Sequence, residues 1–355
     1  MPVTRRGRLA PTPTGFLHVC HARTFAVAAE RAGSAGLVMR IEDLDGPRCR
    51  PEYTAAALDD LRWLGLRWTE GPDVGGPHAP YVQSERTAWY LEIWRRLEAA
   101  GVIYPSPHSR RDVEEAATAP HDAPGARSLR DSGARSCRDS GARSLRDREM
   151  GDDDSTLTRF RRNRAPDGSL GDRDSGDRSL RDRDTQDDDS TLTRFRRNRA
   201  PEEPIFPPGL RPSRWERASA PGGVPWRFRV PDGRVIEFQD GLCGTVRRTA
   251  GVDFGDFVVW RRDDLAAYEL AVVADDHAME IAEVVRGADL LTSTARQILL
   301  YEALGWTAPA FAHAPLVCDA SGQRLAKRSG GLAIRDLRAA GWTPADVLTR
   351  PLPAS

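Results

Sequence analysis

Arg8–His21 reads R-L-A-P-T-P-T-G-F-L-H-V-C-H. Behind Arg5 and Arg6 a short apolar run turns through Pro11, Pro13 and Gly15. It then enters a helix at about His21, carried on by Ala22, Phe25, Ala26 and Ala29. A strand that turns tightly into a helix gathers unpaired backbone N–H groups and the positive end of the helix dipole at one spot, a seat for a phosphate or carboxylate. His18 and His21 stand at that entry, and each can donate a hydrogen bond to a phosphoryl oxygen. Taken alone, the stretch is equally a proline-rich turn with two surface histidines. The rest of the chain decides between the two.

Outward from this stretch, Gly36–Glu42 (G-L-V-M-R-I-E) reads as a buried strand followed at once by Asp43, Leu44 and Asp45. Strand, helix and strand in that order predict a parallel α/β unit with its functional edge at the strand ends. Pro51 opens a helix at a first-turn position, with Tyr53, Ala57, Leu58, Leu61 and Leu64 on its apolar face and Gly65 ending it. Ser84 is the expected N-cap of the next helix, whose Tyr90, Ile93, Trp94 and Leu97 recur at core spacing and assign no ligand.

From about Asp122 to Glu203 the chain is Arg, Asp, Ser and Gly with few large apolar residues. The string D-D-D-S-T-L-T-R-F-R-R-N-R-A-P occurs at Asp152–Pro166 and again at Asp187–Pro201, 35 residues on. Such a period suits a solenoid, but these copies carry only Leu and Phe as core-formers. Their burial cannot offset chain entropy, so 122–203 is expected to be a disordered, mixed-charge insertion. Flanking aspartates cancel most of the charge of R-F-R-R-N-R, which argues against RNA binding there.

Order resumes near Ile205. Trp226–Val230 and Arg234–Gln239 read as strands joined by a P-D-G turn, and Val246–Arg248 adds a third. Phe254–Trp260 is another strand, and Tyr268–Asp276 is apolar and ends in two carboxylates. Ile281–Arg286 is a strand, Ala288–Leu304 a helix closed by Gly305, and Pro315–Cys318 a last short strand. The loop R-L-A-K-R-S-G-G (Arg324–Gly331) leads into one amphipathic helix over Leu332–Gly341, after which only a tail is expected.

At 355 residues the chain has room for two domains of ordinary size. Its 52 basic and 52 acidic residues cancel, which excludes a global basic field but leaves room for a local tRNA-binding face. The sequence carries no long apolar run and no apolar signal core, so a soluble, cytoplasmic protein without membrane partners is expected. Cys20, Cys49, Cys137, Cys243 and Cys318 are scattered and form no C-x-x-C pair, which points to neither a disulfide framework nor a cysteine zinc site. Among all basic residues only Lys327 is a lysine. A compact ammonium differs from a planar guanidinium fork, so that exception asks for a reason.

In order along the chain stand R-L-A-P-T-P-T-G-F-L-H-V-C-H, R-I-E-D-L-D, L-R-W-L-G-L, E-G-P-D-V-G-G-P, Y-V-Q-S-E-R, A-V-V-A-D-D, V-V-R-G-A-D-L-L and R-L-A-K-R. Together these segments resemble the class I aminoacyl-tRNA synthetases of the glutamyl type, and within them the truncated branch that acts on queuosine. They cover nearly everything outside the insertion. The resemblance implies an α/β fold: a Rossmann-like parallel sheet with an inserted acceptor-binding-like subdomain and no anticodon-binding domain, since only 28 residues follow Lys327. The implied division places the halves of the catalytic domain at 1–105 and 226–312. A degenerate zinc-type subdomain falls at 106–121 and 204–225, and the lysine loop with a C-terminal helix at 313–355.

The implied activity is ATP-dependent activation of L-glutamate, with Mg2+, and its transfer to the queuosine of tRNA(Asp). L-glutamate, ATP and that tRNA are then the partners of a monomer. An ordinary 3′-end-charging glutamyl enzyme and a catalytically weakened binding paralogue are the alternatives. The resemblance places a glutamate pocket on Arg8, Leu9, Ala10, Pro11, Thr12, Glu42, Tyr268 and Arg286. Arg286 or Arg8 can grip a carboxylate bidentately and Glu42 can pair with the substrate ammonium. It places ATP binding and catalysis on His18 and His21, at the histidines of the HIGH-type motif, and on Lys327, at the second lysine of the KMSKS-type loop.

Three departures stand out. Cys20 replaces the HIGH-type glycine, against which the adenine lies in the family, so the side chain is expected to crowd the nucleotide. Arg324 and Ala326 replace a lysine and a serine of the lysine loop. The family's zinc segments have become Tyr104-Pro105-Ser106-Pro107-His108-Ser109-Arg110 and Phe206-Pro207-Pro208-Gly209-Leu210-Arg211. His108 alone does not hold zinc, and no structural metal is expected.

Overall fold

The computed structural model describes residues 5–109, 111–113, 116, 204–317 and 332–350. The repeat insertion, Lys327 with its loop, and Cys318 lie outside the described residues. The opening stretch folds as strand, turn and helix: β1 (Gly7–Leu9) and α1 (Val19–Ala32). The helix starts two residues earlier than its apolar spacing suggested. His18 is extended, and its N–H donates to His21 Nδ1 at 3.2 Å, which makes His18 the N-cap.

β2 (Leu37–Met39) runs parallel to β1, with Arg8 opposite Val38. Parallel bridges from Val38 to Glu70 and from Ile41 to Val82 widen this edge. On the other side of β1, the Ala282 and Glu283 N–H groups both reach the Arg6 carbonyl, at 2.9 and 3.1 Å. That brings in β8 (Glu283–Gly287), which pairs in parallel with β9 (Ala310–Ala314), where Arg286 faces His313. β5 (Val235–Asp240) joins β9 in parallel at Asp240–Phe311 and forms an antiparallel hairpin with β6 (Gly244–Thr249). A parallel α/β core is thus present, as expected from the strand–helix–strand order.

A second, antiparallel sheet joins β3 (Ile103–Pro105), β4 (Trp226–Phe228) and β7 (Phe257–Trp260). The P-D-G turn at Pro231–Gly233 therefore does not close a hairpin, because β4 and β5 belong to different sheets. Arg211 supplies the reason: its guanidinium ties Asp232 of that turn to Asp256, sending the chain from one sheet to the other.

α2 (Pro51–Trp63) begins at its proline. α3 (Thr87–Ala99) follows a 3-10 turn, Gln83–Arg86. Ser84 is not its N-cap. Its N–H and hydroxyl are both spent on the Asp43 carboxylate, at 2.8 and 2.6 Å, fastening the turn to the end of the β2 segment. Tyr90, Ile93, Trp94 and Leu97 are fully buried with Trp226 and Trp260, so the stripe is core. The run 268–276 belongs to α4 (Tyr268–Ala278), buried along nearly its whole length, and α5 (Leu291–Leu304) ends on Gly305 in the left-handed region.

Near the end, the last strand lies before Pro315 rather than after it. The apolar run A-F-A-H-A fits between two parallel neighbours, and Pro315, lacking an N–H, follows its last residue. The helix expected over 332–341 is α6 (Ile334–Ala339), but where only a tail was expected there is another, α7 (Pro344–Thr349). Gly341 breaks the first at positive φ, and a Thr343–Asp346 capping box with Pro344 at the first turn starts the second.

Candidate active site

The opening stretch is laid along the end of the β2 segment. Arg40 N–H donates to the Leu9 carbonyl at 2.9 Å and Glu42 N–H to the Pro11 carbonyl at 3.0 Å. Leu9 points into the apolar core and Pro11 is buried, so these two position the strand. Ala10 is half-buried and Thr12 exposed. Arg8 is buried, spends Nη1 on the Val285 carbonyl at 3.0 Å and holds Nε 3.5 Å from Asp276.

Beneath them lies a charge cluster that the residue pattern left unread. Arg40 is fully buried and donates to Asp276 at 2.7 Å and to Glu42 at 2.9 Å, with Asp275 at 3.8 Å. Burial opposes its charge, but the three carboxylates outweigh that and hold the guanidinium firmly protonated. Glu42 sits at the cluster's rim. Burial pushes its carboxyl up, against the pull of Arg40 and Arg8. Asp275 accepts from Arg86 Nε at 2.6 Å, Tyr90 hydroxyl at 2.8 Å and Gln83 amide at 2.9 Å. The two carboxylates ending A-V-V-A-D-D therefore split their work. Asp276 holds the strand arginines and Asp275 fastens α4 to α3 and the 3-10 turn. Their adjacency in sequence was visible; the arginines they serve come from far along the chain.

Opposite, Arg286 rises from β8. Its Nη2 donates to Thr294 Oγ1 at 2.6 Å and Gln297 Oε1 at 2.7 Å, and its Nε to His313 Nε2 at 3.3 Å. Three of its five N–H donors are thus committed to the protein. The remaining pair is on Nη1, one of them 3.4 Å from the Tyr268 hydroxyl. A bidentate fork from Arg286 is therefore unavailable. It offers Nη1 alone, with the Tyr268 hydroxyl beside it. Tyr268 is 39% exposed and is the open wall of the arrangement. The charges of Arg286, Glu42 and Arg8 all act on its hydroxyl. Arg8, Glu42, Tyr268 and Arg286, spread over nearly 280 residues of chain, come together.

His18 and His21 mark the start of α1, their rings 6.0 Å apart. Because the His18 N–H donates to His21 Nδ1, that nitrogen is an acceptor and the ring's proton sits on Nε2. The chain returning from the lysine loop is stitched to the same point. Val19 N–H donates to the Leu332 carbonyl, Ile334 N–H to the Leu17 carbonyl, and His18 bridges Ala333. α6 is held down by Arg335 on Asp60 and by Arg338 on Asp59 of α2. Lys327 itself lies outside the described residues.

Where the family's zinc segments fall, Tyr104, Phe206 and Val113 form an apolar cluster. The His108 ring stands 6.3 Å from that of Phe206, and Arg227 lies over the Phe206 face. The Tyr104 hydroxyl donates to Asp256 at 2.5 Å, and Arg211 donates to the same carboxylate. These residues do not fit a zinc ion. Among the described residues no three His, Cys, Asp or Glu side chains converge as a metal site.

The family model for the catalytic domain of class I tRNA synthetases (E and Q) matches residues 4–192 and 214–350. The chain belongs to that family. Among the synthetases it resembles is a glutamyl-Q tRNA(Asp) synthetase of Symbiobacterium thermophilum, 39% identical over 349 residues, 96% of this chain and 84% of that one. Another, of Nitratidesulfovibrio vulgaris, is 38% identical over 344 residues, again 96% of this chain and 83% of the relative. Glutamate–tRNA ligase 1 of Halorhodospira halophila is 32% identical, and the chain spans 57% of its length. The solved glutamate–tRNA synthetase of Elizabethkingia anophelis superposes with a TM-score of 0.58 at 23% identity, over 92% of this chain and 53% of that one, which supports the synthetase fold. Among the described residues no helix is long and apolar enough to cross a membrane.

Proposed function

We propose that this synthetase activates L-glutamate with ATP, taken as its magnesium complex, and transfers the glutamyl group to a hydroxyl of queuosine in tRNA(Asp). The observation that carries the reading is the buried set Arg8, Glu42 and Arg286 with the Tyr268 hydroxyl. It offers one anion and two cations to a substrate bearing one ammonium and two carboxylates. The names of the two 38–39% identical relatives support the same chemistry.

In this reading Glu42 pairs with the substrate ammonium, while Arg286 Nη1 and the Tyr268 hydroxyl take the side-chain carboxylate. The α-carboxylate is left to attack the α-phosphorus of ATP in line, with pyrophosphate leaving. His21 Nε2–H, His18 and the N-terminus of α1 meet the phosphoryl oxygens. Lys327 neutralises the charge on the pyrophosphate. Little covalent work falls to the protein, so positioning and charge dominate. The queuosine hydroxyl then attacks the adenylate carbonyl and AMP departs.

The deciding experiment offers labelled glutamate to tRNA(Asp) with and without queuosine, each with its 3′-terminal adenosine intact or removed. Label found only on the queuosine-containing tRNA, and retained there when the 3′ adenosine is removed, is the expected result. Label found only when the 3′ adenosine is present overturns it in favour of 3′-end charging.

Cys20 gives a second test at the opening of α1. Replacing it by glycine removes a side chain from the position where the family's nucleotide lies closest. Relief of crowding of about 1 kcal/mol lowers the KM for ATP roughly five-fold. Pyrophosphate exchange at varied ATP reads this directly, and an unchanged KM refutes the crowding.

A further inference from the structure

We propose that Asp240 and His313 form a positioning pair that presents Arg286 to the substrate's side-chain carboxylate, so that they govern glutamate affinity rather than the rate of adenylation. The inference rests on the glutamate reading of Arg286 given above.

Three adjacent parallel strands build the arrangement. Arg286 on β8 faces His313 on β9, and β5 delivers Asp240 beside Phe311 of β9. His313 is fully buried and Asp240 nearly so. Asp240 is immobilised, since its Oδ1 accepts the backbone N–H groups of Leu242, Cys243 and His313 at 3.0, 2.8 and 3.1 Å. Its Oδ2 stands 2.6 Å from His313 Nδ1. Burial opposes the carboxylate's charge, but these hydrogen bonds outweigh it and keep the group ionised.

An ionised Asp240 accepts only, so the His313 proton is on Nδ1 and the Nε2 lone pair looks the other way. There it meets Arg286 Nε–H at 3.3 Å and the Thr294 hydroxyl at 2.9 Å. Burial also holds the imidazole below its usual range, in the neutral form that leaves Nε2 an acceptor. A ring with its proton on Nε2 would set donor against donor at Arg286 Nε. The tautomer chosen by Asp240 thus decides whether Arg286 Nε is held. With Nε and Nη2 anchored, the guanidinium plane is fixed and Nη1 is the corner that faces Tyr268. Neither residue reaches the reacting phosphate in this scheme; both act through Arg286.

The test is glutamate-dependent ATP–pyrophosphate exchange by the full chain carrying Asp240→Asn, His313→Gln or Arg286→Ala. The asparagine keeps an oxygen for the three backbone donors but turns an NH2 toward Nδ1, which drives the imidazole proton to Nε2. The expected result is a KM for glutamate raised about ten-fold or more, with kcat and the KM for ATP within about two-fold of the parent. The His313→Gln amide oxygen can stand where Nε2 stood and restores an acceptor for Arg286, so its KM lies between the parent's and that of Asp240→Asn. An unchanged glutamate KM in Asp240→Asn, alongside a raised one in Arg286→Ala, overturns the positioning pair alone. Unchanged values in both overturn the glutamate reading and the pair with it. A fall in kcat together with equal rises in both KM values assigns Asp240 a purely structural part and also overturns the proposal.

Discussion

Arg286→Ala raises the KM for glutamate by roughly 10²- to 10³-fold in pyrophosphate exchange, a loss of about 3–4 kcal/mol, the range for truncating one partner of a buried, hydrogen-bonded charge pair. Two effects add. The substrate carboxylate loses its cation, and Thr294, Gln297 and His313 lose the group that satisfied them. The KM for ATP stays near the parent value, because Arg286 belongs to the β8 side of the site and not to the start of α1. Arg286→Lys is nearly as damaging. A single ammonium cannot serve His313 Nε2, Thr294 and Gln297 while still pointing a donor past Tyr268. An Arg286→Ala protein that keeps its glutamate KM removes this residue from the pocket.

Asp275→Ala destabilises the fold by about 3–5 kcal/mol, the usual cost of removing one partner from a buried ion pair. Asp275 is fully buried and receives Arg86, Tyr90 and Gln83, with Arg40 close by. Burial pushes its own carboxyl up despite Arg40 and Arg86, so the pairing offsets a desolvation cost instead of adding a large surplus. Deleting the carboxylate leaves that cost on the arginines with nothing to balance it. The midpoint of urea unfolding should fall accordingly, whereas Glu52→Ala, an exposed helix residue, should leave it unchanged. A small shift in Asp275→Ala would mean that water or a neighbouring carboxylate takes over the role.

Both residues illustrate how far the pattern of residue types carried. Arg286 was legible as a candidate for the pocket because V-V-R-G-A-D-L-L places it at a strand end within a recognisable series. Its neighbours were less legible. His313 sits inside the apolar run A-F-A-H-A and Asp240 directly after the strand expected over Arg234–Gln239; neither has a spacing that signals its partner. Arg40 looked like one polar residue in a buried strand. Its role came into view only with Asp275 and Asp276, more than 230 positions away. Boundaries failed where tertiary bonds competed with local ones: Ser84 gave its capping groups to Asp43, and the P-D-G turn became a crossing between sheets because Arg211 holds Asp232 to Asp256.

What the linear order of residues determined on its own is most of the succession of elements and the identity of the family. Apolar periodicity and the turn residues are local, and the eight motif segments occur in one order. The tertiary structure alone decided the hydrogen-bond directions. Strand pairing sets Asp240, His313 and Arg286 on three neighbouring strands, so that one carboxylate selects one tautomer and one corner of a guanidinium is left facing the Tyr268 hydroxyl. Such directions depend on the registers of strands far apart in the chain, and no local pattern encodes them.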